Sequence, residues 1–172
     1  MEPATDVAER IAPAAIARGA FSVALLLWGG YGLAHAESFT IMDSVDLAIH
    51  ETGHLVFAPC GEFVTVAGGT IMQLLLPAIF AGYFWRRDDG YGASVALWWV
   101  AQSAGNVATY AADARAQELP LVGGGEHDWA YLLGETGLLA RDRQIGHVIR
   151  AAAFALMLVA AAWGVRRASQ RA

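Results

Sequence analysis

Hydrophobic and polar positions are arranged in long blocks along the chain. Four blocks approach the roughly 20 consecutive apolar residues that a bilayer-spanning helix needs. They cover residues 11–33, 63–85, 91–112 and 145–165. Two shorter helices are predicted at residues 43–57 and 129–139, and their length favours an interfacial or re-entrant placement. The pattern predicts an all-α, polytopic membrane bundle of about four transmembrane helices with two additional short helices.

The composition supports a membrane environment. Of the 172 residues, 56% are hydrophobic and 16% are charged, whereas about 25% of residues are charged in soluble domains. The net charge is −5 and there is no basic stripe, which argues against a nucleic acid partner. No internal repeat or long linker divides the sequence, so we expect residues 1–172 to form a single integral membrane domain. The lipid bilayer is the first predicted partner.

The N-terminal segment has two interpretations. It ends in "AHA" at residues 34–36, which is similar to a signal-peptidase site, but it begins with the acidic residues Glu2, Asp6 and Glu9. A signal peptide instead begins with a positively charged region and has a shorter apolar segment. We therefore expect residues 11–33 to be retained as the first helix rather than cleaved.

The arginines predict an orientation, because Lys and Arg are retained on the cytoplasmic side of short membrane loops. They follow the second predicted span at positions 86 and 87, follow the fourth at 166, 167 and 171, and lie near the first at 10 and 18. We expect these positions and both termini to be cytoplasmic, in a bacterial plasma membrane. Arg141 and Arg143 then lie outside, against the rule, with Asp142 between them.

This orientation brings two polar motifs to the outer side of the membrane. One lies in residues 46–59, "DLAIHETGHLVFAP", and the other in residues 123–129, "GGGEHDW". They are distant in the sequence but share a face of the predicted bundle, so they can contribute to one site.

The first motif has the spacing His-Glu-x-x-His. Residues four apart lie on one face of an α-helix, so His50 and His54 can direct both imidazoles at one ion. Neutral imidazole suits zinc, and catalytic zinc usually takes three protein ligands and a water molecule. Glu51 lies beside the pair and can accept a proton from that water. Ionisable residues beside an apolar membrane segment generally indicate function, because placing them there is costly.

Two aspartates share a narrow helical stripe with these histidines. Asp46 precedes His50 by one turn, where a carboxylate can hold the second nitrogen of a metal-bound imidazole. The alternative is a polar face turned to water, with Asp43 or Ser44 capping the helix. Both interpretations of Asp46 stay open from the sequence.

The second motif offers the third ligand. Asp128 would complete a His-His-carboxylate set, which is common in hydrolytic zinc sites. His127 is the main alternative, and Asp113 and Glu126 are further candidates. Without a metal, Asp128 would be the N-cap of the short helix that follows and His127 an exposed loop residue.

The third predicted span carries a polar face. Asn106, Tyr110 and Asp113 follow a three-to-four residue spacing. Such side chains often bond neighbouring membrane helices. The alternative is that Asn106 or Tyr110 donates a hydrogen bond to a developing oxyanion. Small residues in "GGTIMQ" and "AQSAG" predict close helix contacts.

The sequence "HETGH" on a hydrophobic helix of a small polytopic protein resembles the site-two protease family of intramembrane zinc metallopeptidases. In that family both histidines bind Zn²⁺, the glutamate activates water, and an aspartate from a distant membrane segment is the third ligand. The matching positions are His50, Glu51 and His54. The resemblance implies a metalloprotease acting on a membrane protein or peptide. The Leu-Asp-Gly context of the family's aspartate has no counterpart here, and many members open toward the cytoplasm.

Three functional hypotheses follow. The first is a membrane-embedded zinc hydrolase, a metallopeptidase in particular, with His50, His54 and Asp128 or His127 as ligands and Glu51 as base. The second is a non-catalytic membrane protein that uses the same histidines for metal binding or sensing. The third is a structural membrane subunit. Metal content separates the third hypothesis from the other two, and replacement of Glu51 separates the first from the second.

Overall fold

The computed structural model describes residues 4–35, 39–120 and 126–169, with side chains from residue 13 onward. Six α-helices occupy these ranges, and no strand occurs within them. They are α1 (Ala4–Ala34), α2 (Ile41–Phe57), α3 (Glu62–Arg86), α4 (Gly90–Ala112), α5 (Asp128–Glu135) and α6 (Asp142–Arg167). Short 3₁₀ turns at Ala58–Cys60 and Leu139–Arg141 precede α3 and α6. The predicted all-α fold is confirmed.

The second short helix ends earlier than predicted. The sequence pattern extends it to residue 139, but α5 ends at Glu135. The hydroxyl of Thr136 bonds to the carbonyl of Leu132 at 2.8 Å, and Gly137 adopts a φ of 69°. A glycine in this left-handed conformation is a common helix terminator, and the apolar periodicity alone did not reveal it.

Helices α1 and α4 run parallel. The Tyr91 hydroxyl, in the first turn of α4, donates to the carbonyl of Arg18 in the middle of α1 at 3.1 Å. Further along, the rings of Trp28 and Trp98 stack with centroids 5.4 Å apart. The order of the contacts is the same in both helices, so both run from one end of the bundle to the other in the same direction.

Helices α4 and α6 run antiparallel in close contact. A Cβ atom on Gly146 would lie 2.6 Å from the Cβ of Ala112, and one on Gly164 would lie 2.9 Å from the Ser94 hydroxyl oxygen. Small residues at such positions let helix backbones approach closely, which is how helices associate in a membrane. Helix α4 therefore has little of its surface open on this side.

Within the described residues, three helices are long and apolar enough to cross a membrane, over Pro13–Ala34, Glu62–Arg86 and Leu139–Arg167. Helix α4 is outside this set although it has 23 residues, because its interior contains Gln102, Ser103 and Asn106. Ten of its residues are buried, against four in α3. The third predicted span, residues 91–112, is thus the enclosed helix of the bundle, while large apolar side chains such as Leu27 and Val148 point outward. These features are compatible with an integral membrane protein.

Helix α2 lies antiparallel along α3. His50 contacts α3 beside Gly69, whereas His54 is closer to the start of α3, beside Thr65. Between them, Gly53 faces the main chain of Gly68 so closely that neither position has room for a side chain. The two backbones are therefore in direct contact, and this contact fixes the positions of the histidines along the axis of α3.

Candidate metal centre

The two histidines of the motif meet a carboxylate from α5. His50 Nε2 lies 2.7 Å and His54 Nε2 3.3 Å from Oδ2 of Asp128. The three ligand atoms lie within 4.8 Å of one another. Ligands of a tetrahedral zinc ion are roughly 3.4 Å apart, given zinc–nitrogen bonds of about 2.1 Å. Only small movements are needed for these residues to hold one ion.

Helix α3 fixes the proton of each imidazole. His50 Nδ1 lies 3.2 Å from Oε1 of Gln73, and His54 Nδ1 lies 2.9 Å from the carbonyl oxygen of Thr65. Carbonyl oxygens only accept, so each ring places a proton on Nδ1. Both Nε2 atoms then face Asp128, and they are the positions that remain for metal ligation.

The resulting group is rich in electron pairs. Both Nε2 atoms converge on one carboxylate oxygen of Asp128, and at 2.7 and 3.3 Å these acceptor atoms need a proton or a cation among them. Two imidazole nitrogens and one carboxylate oxygen suit Zn²⁺ and leave a fourth position for water. The residues therefore fit a catalytic zinc ion by their chemistry as well as by their distances.

A glycine makes room for the buried imidazole. A Cβ atom on Gly69 would lie 2.5 Å from Nε2 of His50. Gly69, Gln73 and Thr65 all lie on α3, and none was predicted as a site residue. The available signal was a glutamine in the otherwise apolar segment "GGTIMQLLL", but its partner depends on how α2 packs against α3.

The start of α5 distinguishes the candidates for the third ligand, because Asp128 and His127 have different positions there. Asp128 is the first residue of the helix and points at the histidines, and its N–H donates to the Tyr110 hydroxyl at 3.1 Å. His127, not Asp128, is the N-cap, because its Nδ1 accepts from the N–H of Ala130 at 3.3 Å. The alternative interpretation of Asp128 as the N-cap is therefore wrong by one residue.

His127 turns away from the metal-ligating group. It is 2% exposed, so its description as an exposed loop residue was also wrong. Its Nε2 faces Asp113 Oδ2 at 3.4 Å, and its ring lies 4.2 Å from that of Tyr110. His127 and Asp113 thus join the start of α5 to the end of α4. Glu126 lines the adjoining cavity without entering the group.

Asp46 does not hold the imidazole of His50. Its Oδ1 accepts hydrogen bonds at 3.0 Å from the Trp99 indole and from the Ser103 hydroxyl. It is also fully buried, so the alternative of a water-facing position was wrong too. Burial raises the pKa of the Asp46 carboxyl, and the bonds from Trp99 and Ser103 oppose this shift. The physical reason is that α4 covers Asp46, while Gln73 of α3 takes the place beside His50.

The two candidates for oxyanion stabilisation occupy different positions. The Asn106 amide bonds to both Gln73 and Asp43, at 3.0 and 3.1 Å, so it joins three helices. Tyr110 lies beside the group, and its hydroxyl uses only its acceptor capacity in the bond from Asp128. Tyr110 therefore retains a proton to donate, and it lines the cavity.

A cavity of about 610 Å³ adjoins the group. Its wall includes the three candidate ligands, Tyr110 and the exposed Glu51. From there it extends between α1, α4 and α6 to an apolar region lined by Trp28, Gly29, Trp98 and Met157. This volume is in the range of ordinary small-molecule and cofactor pockets, roughly 300–1,000 Å³.

Comparison of the chain with protein-family models, with curated proteins and with solved structures finds no match. The chemistry of the group is therefore interpreted from its own geometry.

Proposed function

We propose that the protein is a membrane-embedded, zinc-dependent hydrolase, and specifically a metallopeptidase. The observation that carries the proposal is the convergence of the Nε2 atoms of His50 and His54 with Oδ2 of Asp128. The exposed carboxylate of Glu51 and a cavity beside this group support a catalytic role rather than a purely structural one. The resemblance of "HETGH" to the site-two proteases points to the same reaction class.

The surrounding residues have distinct roles in this reaction. A bound zinc ion supplies Lewis acidity and lowers the pKa of a bound water. Glu51 accepts the proton of the attacking water and can pass it to the leaving amine. The Tyr110 hydroxyl donates a hydrogen bond to the carbonyl oxygen as negative charge develops on it. Gln73 and Thr65 hold the two imidazoles in the tautomer that presents Nε2.

The charge of the cavity favours a peptide over a phospholipid. Its described lining contains five carboxylates and no lysine or arginine: Asp43, Glu51, Glu62, Glu126 and Asp128. A phosphate headgroup would meet net negative charge even beside a divalent cation, whereas a neutral or cationic peptide would not. We therefore propose a membrane protein or peptide as the substrate.

The enclosed helix α4 completes a four-span topology in this proposal. Its 23 residues extend about 34 Å at 1.5 Å per residue, enough for the hydrocarbon core. Its polar residues meet α2 and α3 rather than lipid. The arginines at 86, 87, 166 and 167 share one end of the bundle, which we place in the cytoplasm with both termini. The metal-ligating group then opens to the outer side of a bacterial plasma membrane.

Replacement of Glu51 by Gln tests the reaction. The purified full chain should bind zinc as before, because Glu51 is not a ligand, while cleavage of a fluorescence-quenched library of apolar peptides should fall roughly 10²–10⁴-fold. The matched control is Glu135→Gln, an exposed acid outside the cavity, which should change neither. Stoichiometric zinc with no wild-type cleavage would favour a non-catalytic metal protein, and no zinc at all would favour a structural subunit.

The native Cys60 tests the orientation, because it is exposed in the turn between α2 and α3. A membrane-impermeant maleimide should label it in intact cells. In a Cys60→Ala background, a cysteine replacing the exposed Asp88 at the opposite end should react only after the cells are permeabilised. The opposite labelling pattern would reverse the proposed topology.

A further inference from the structure

A chain of hydrogen bonds leads from His50 to a carboxylate that does not touch it. His50 Nδ1 meets Gln73 Oε1 at 3.2 Å, and Gln73 Nε2 donates to Asn106 Oδ1 at 3.0 Å. Asn106 Nδ2 in turn donates to Asp43 Oδ1 at 3.1 Å. This series of hydrogen bonds therefore runs from α2 to α3 to α4 and returns to the first turn of α2.

The direction of this chain is set at its far end. Asp43 Oδ2 accepts the main-chain N–H of Thr40, and an ionised carboxylate has only acceptors to offer. Asn106 must therefore turn its NH₂ group toward Asp43 and its oxygen toward Gln73. Gln73 must then turn its NH₂ group toward Asn106 and its oxygen toward His50. Each amide has one donor end and one acceptor end, so neither can rotate alone.

We propose that Asp43, Asn106 and Gln73 act as a positioning relay that holds His50 in the Nδ1-protonated tautomer. The inference rests on the proposed function in so far as the relay serves metal binding. The opposite tautomer would place an N–H on Nε2, which faces Asp128 Oδ2 at 2.7 Å, and a lone pair on Nδ1 against the Gln73 oxygen. Gln73 is 2% exposed, so water is poorly placed to relieve that repulsion.

The two histidines are held by different kinds of acceptor. His54 Nδ1 donates to the main-chain carbonyl of Thr65, which cannot exchange its acceptor for a donor. Of the two histidines, only His50 has a side-chain amide as its acceptor, and this amide, that of Gln73, can rotate to exchange its oxygen and its NH₂ group. The relay therefore predicts a change at His50 alone, and His54 is an internal reference.

The variant Asp43→Asn should reverse the chain with little change in shape. Its single oxygen is still needed by the Thr40 N–H, so its NH₂ group faces Asn106 and forces both amides to turn over. Gln73 would then present NH₂ to His50 and move the imidazole proton to Nε2. We expect zinc affinity to fall roughly 10–100-fold, as for loss of other outer partners of metal-bound histidines.

A second change should restore the direction. In the double variant Asp43→Asn/Asn106→Asp, the carboxylate now lies at position 106 on α4. It accepts a hydrogen bond from the amide at position 43 and another from the NH₂ group of Gln73. The Gln73 oxygen therefore faces His50 again. The control is Asp43→Asn/Ser44→Asp, which returns the lost charge to the first turn of α2 at an exposed position outside the chain of hydrogen bonds. We expect rescue from the first double variant and none from the control.

The deciding measurement is the imidazole ¹⁵N spectrum of metal-free protein labelled at histidine, recorded in an Asp128→Ala background because Asp128 Oδ2 is a competing acceptor 2.7 Å from His50 Nε2. Zinc affinity is measured by chelator competition with Asp128 present. Asp43→Asn should exchange the Nδ1 and Nε2 shifts of His50, leave those of His54 unchanged, and be reversed by Asn106→Asp. An unchanged His50 tautomer in Asp43→Asn, or equal rescue by Ser44→Asp, would overturn the relay. Because this spectrum needs no metal, it tests the relay even if the wild type binds no zinc and the proposed function fails.

Discussion

The two walls of the candidate metal centre are built in different ways. The histidine wall consists of His50 and His54 on α2, which touches α3 backbone to backbone and bonds both imidazoles to it. The aspartate wall consists of Asp128 on α5, a helix of eight residues. A helix this short does not persist without support, and its first turn is held by the Tyr110 hydroxyl and the His127 cap.

The two walls are expected to differ in how easily they move. Close backbone packing prevents α2 from moving further toward α3, and the hydrogen bonds of His50 and His54 to α3 oppose movement away from it. Asp128 lies on a helix that buries two side chains, Leu132 and Leu133, and has no backbone contact comparable to that of Gly53 with Gly68. Elements with fewer buried contacts are the first to open locally. We therefore expect the aspartate wall to open more readily than the histidine wall.

The largest effects are expected from removing a ligand on either wall. His54→Ala and Asp128→Ala should each lower zinc affinity by more than the roughly 10–100-fold expected for loss of an outer hydrogen-bond partner. Chelator competition measures this loss, and Glu135→Ala on the exposed side of α5 is the control. Wild-type affinity in Asp128→Ala would remove α5 from the metal centre and end the comparison.

The next largest effect is expected from the glycine that accommodates His50. In Gly69→Ala the new methyl group would overlap the imidazole, and such overpacking costs about 1–3 kcal/mol. Both zinc affinity and thermal stability should therefore fall. Gly82→Ala is the matched control on the same helix, because its added methyl meets no atom within 4 Å. Equal behaviour of the two variants would show that the histidine wall is not closely packed.

A smaller effect is expected at the support of the aspartate wall. Tyr110→Phe removes the acceptor of the Asp128 N–H, a bond worth about 0.5–1.5 kcal/mol. Hydrogen exchange of the α5 amides should accelerate, while the α2 amides should exchange as in the wild type. Acceleration in both helices would mean that the two walls open together, contrary to the inferred difference.

The smallest effect is expected at Asp46, which lies behind the histidine wall. Its carboxyl pKa is raised above the usual 3.8 by burial, so the folded state favours the protonated form. The stabilising contribution of that proton is present at low pH and is lost as pH rises through the folded-state pKa. Thermal unfolding of the wild type should show this decline, and Asp46→Asn should reduce its slope. An identical slope in both proteins would contradict the assignment.

The sequence alone determined the long helices and the histidine pair. Apolar periodicity and helical spacing are local properties, so the predicted spans 63–85 and 91–112 agree closely with α3 and α4. The pairing of His50 with His54 also follows from one turn of helix. The approach of the second motif was predicted less directly, from the distribution of arginines and the side of the membrane that it implied.

Tertiary structure decided which atoms meet. One residue of shift at the start of α5 turns a side chain by about 100°, and this angle makes Asp128 the ligand candidate and His127 the cap. Because α2 packs between α3 and α4, His50 forms a hydrogen bond with Gln73 and Asp46 forms one with Trp99. These pairings depend on the positions of helices distant in sequence, so no local pattern in the chain could specify them.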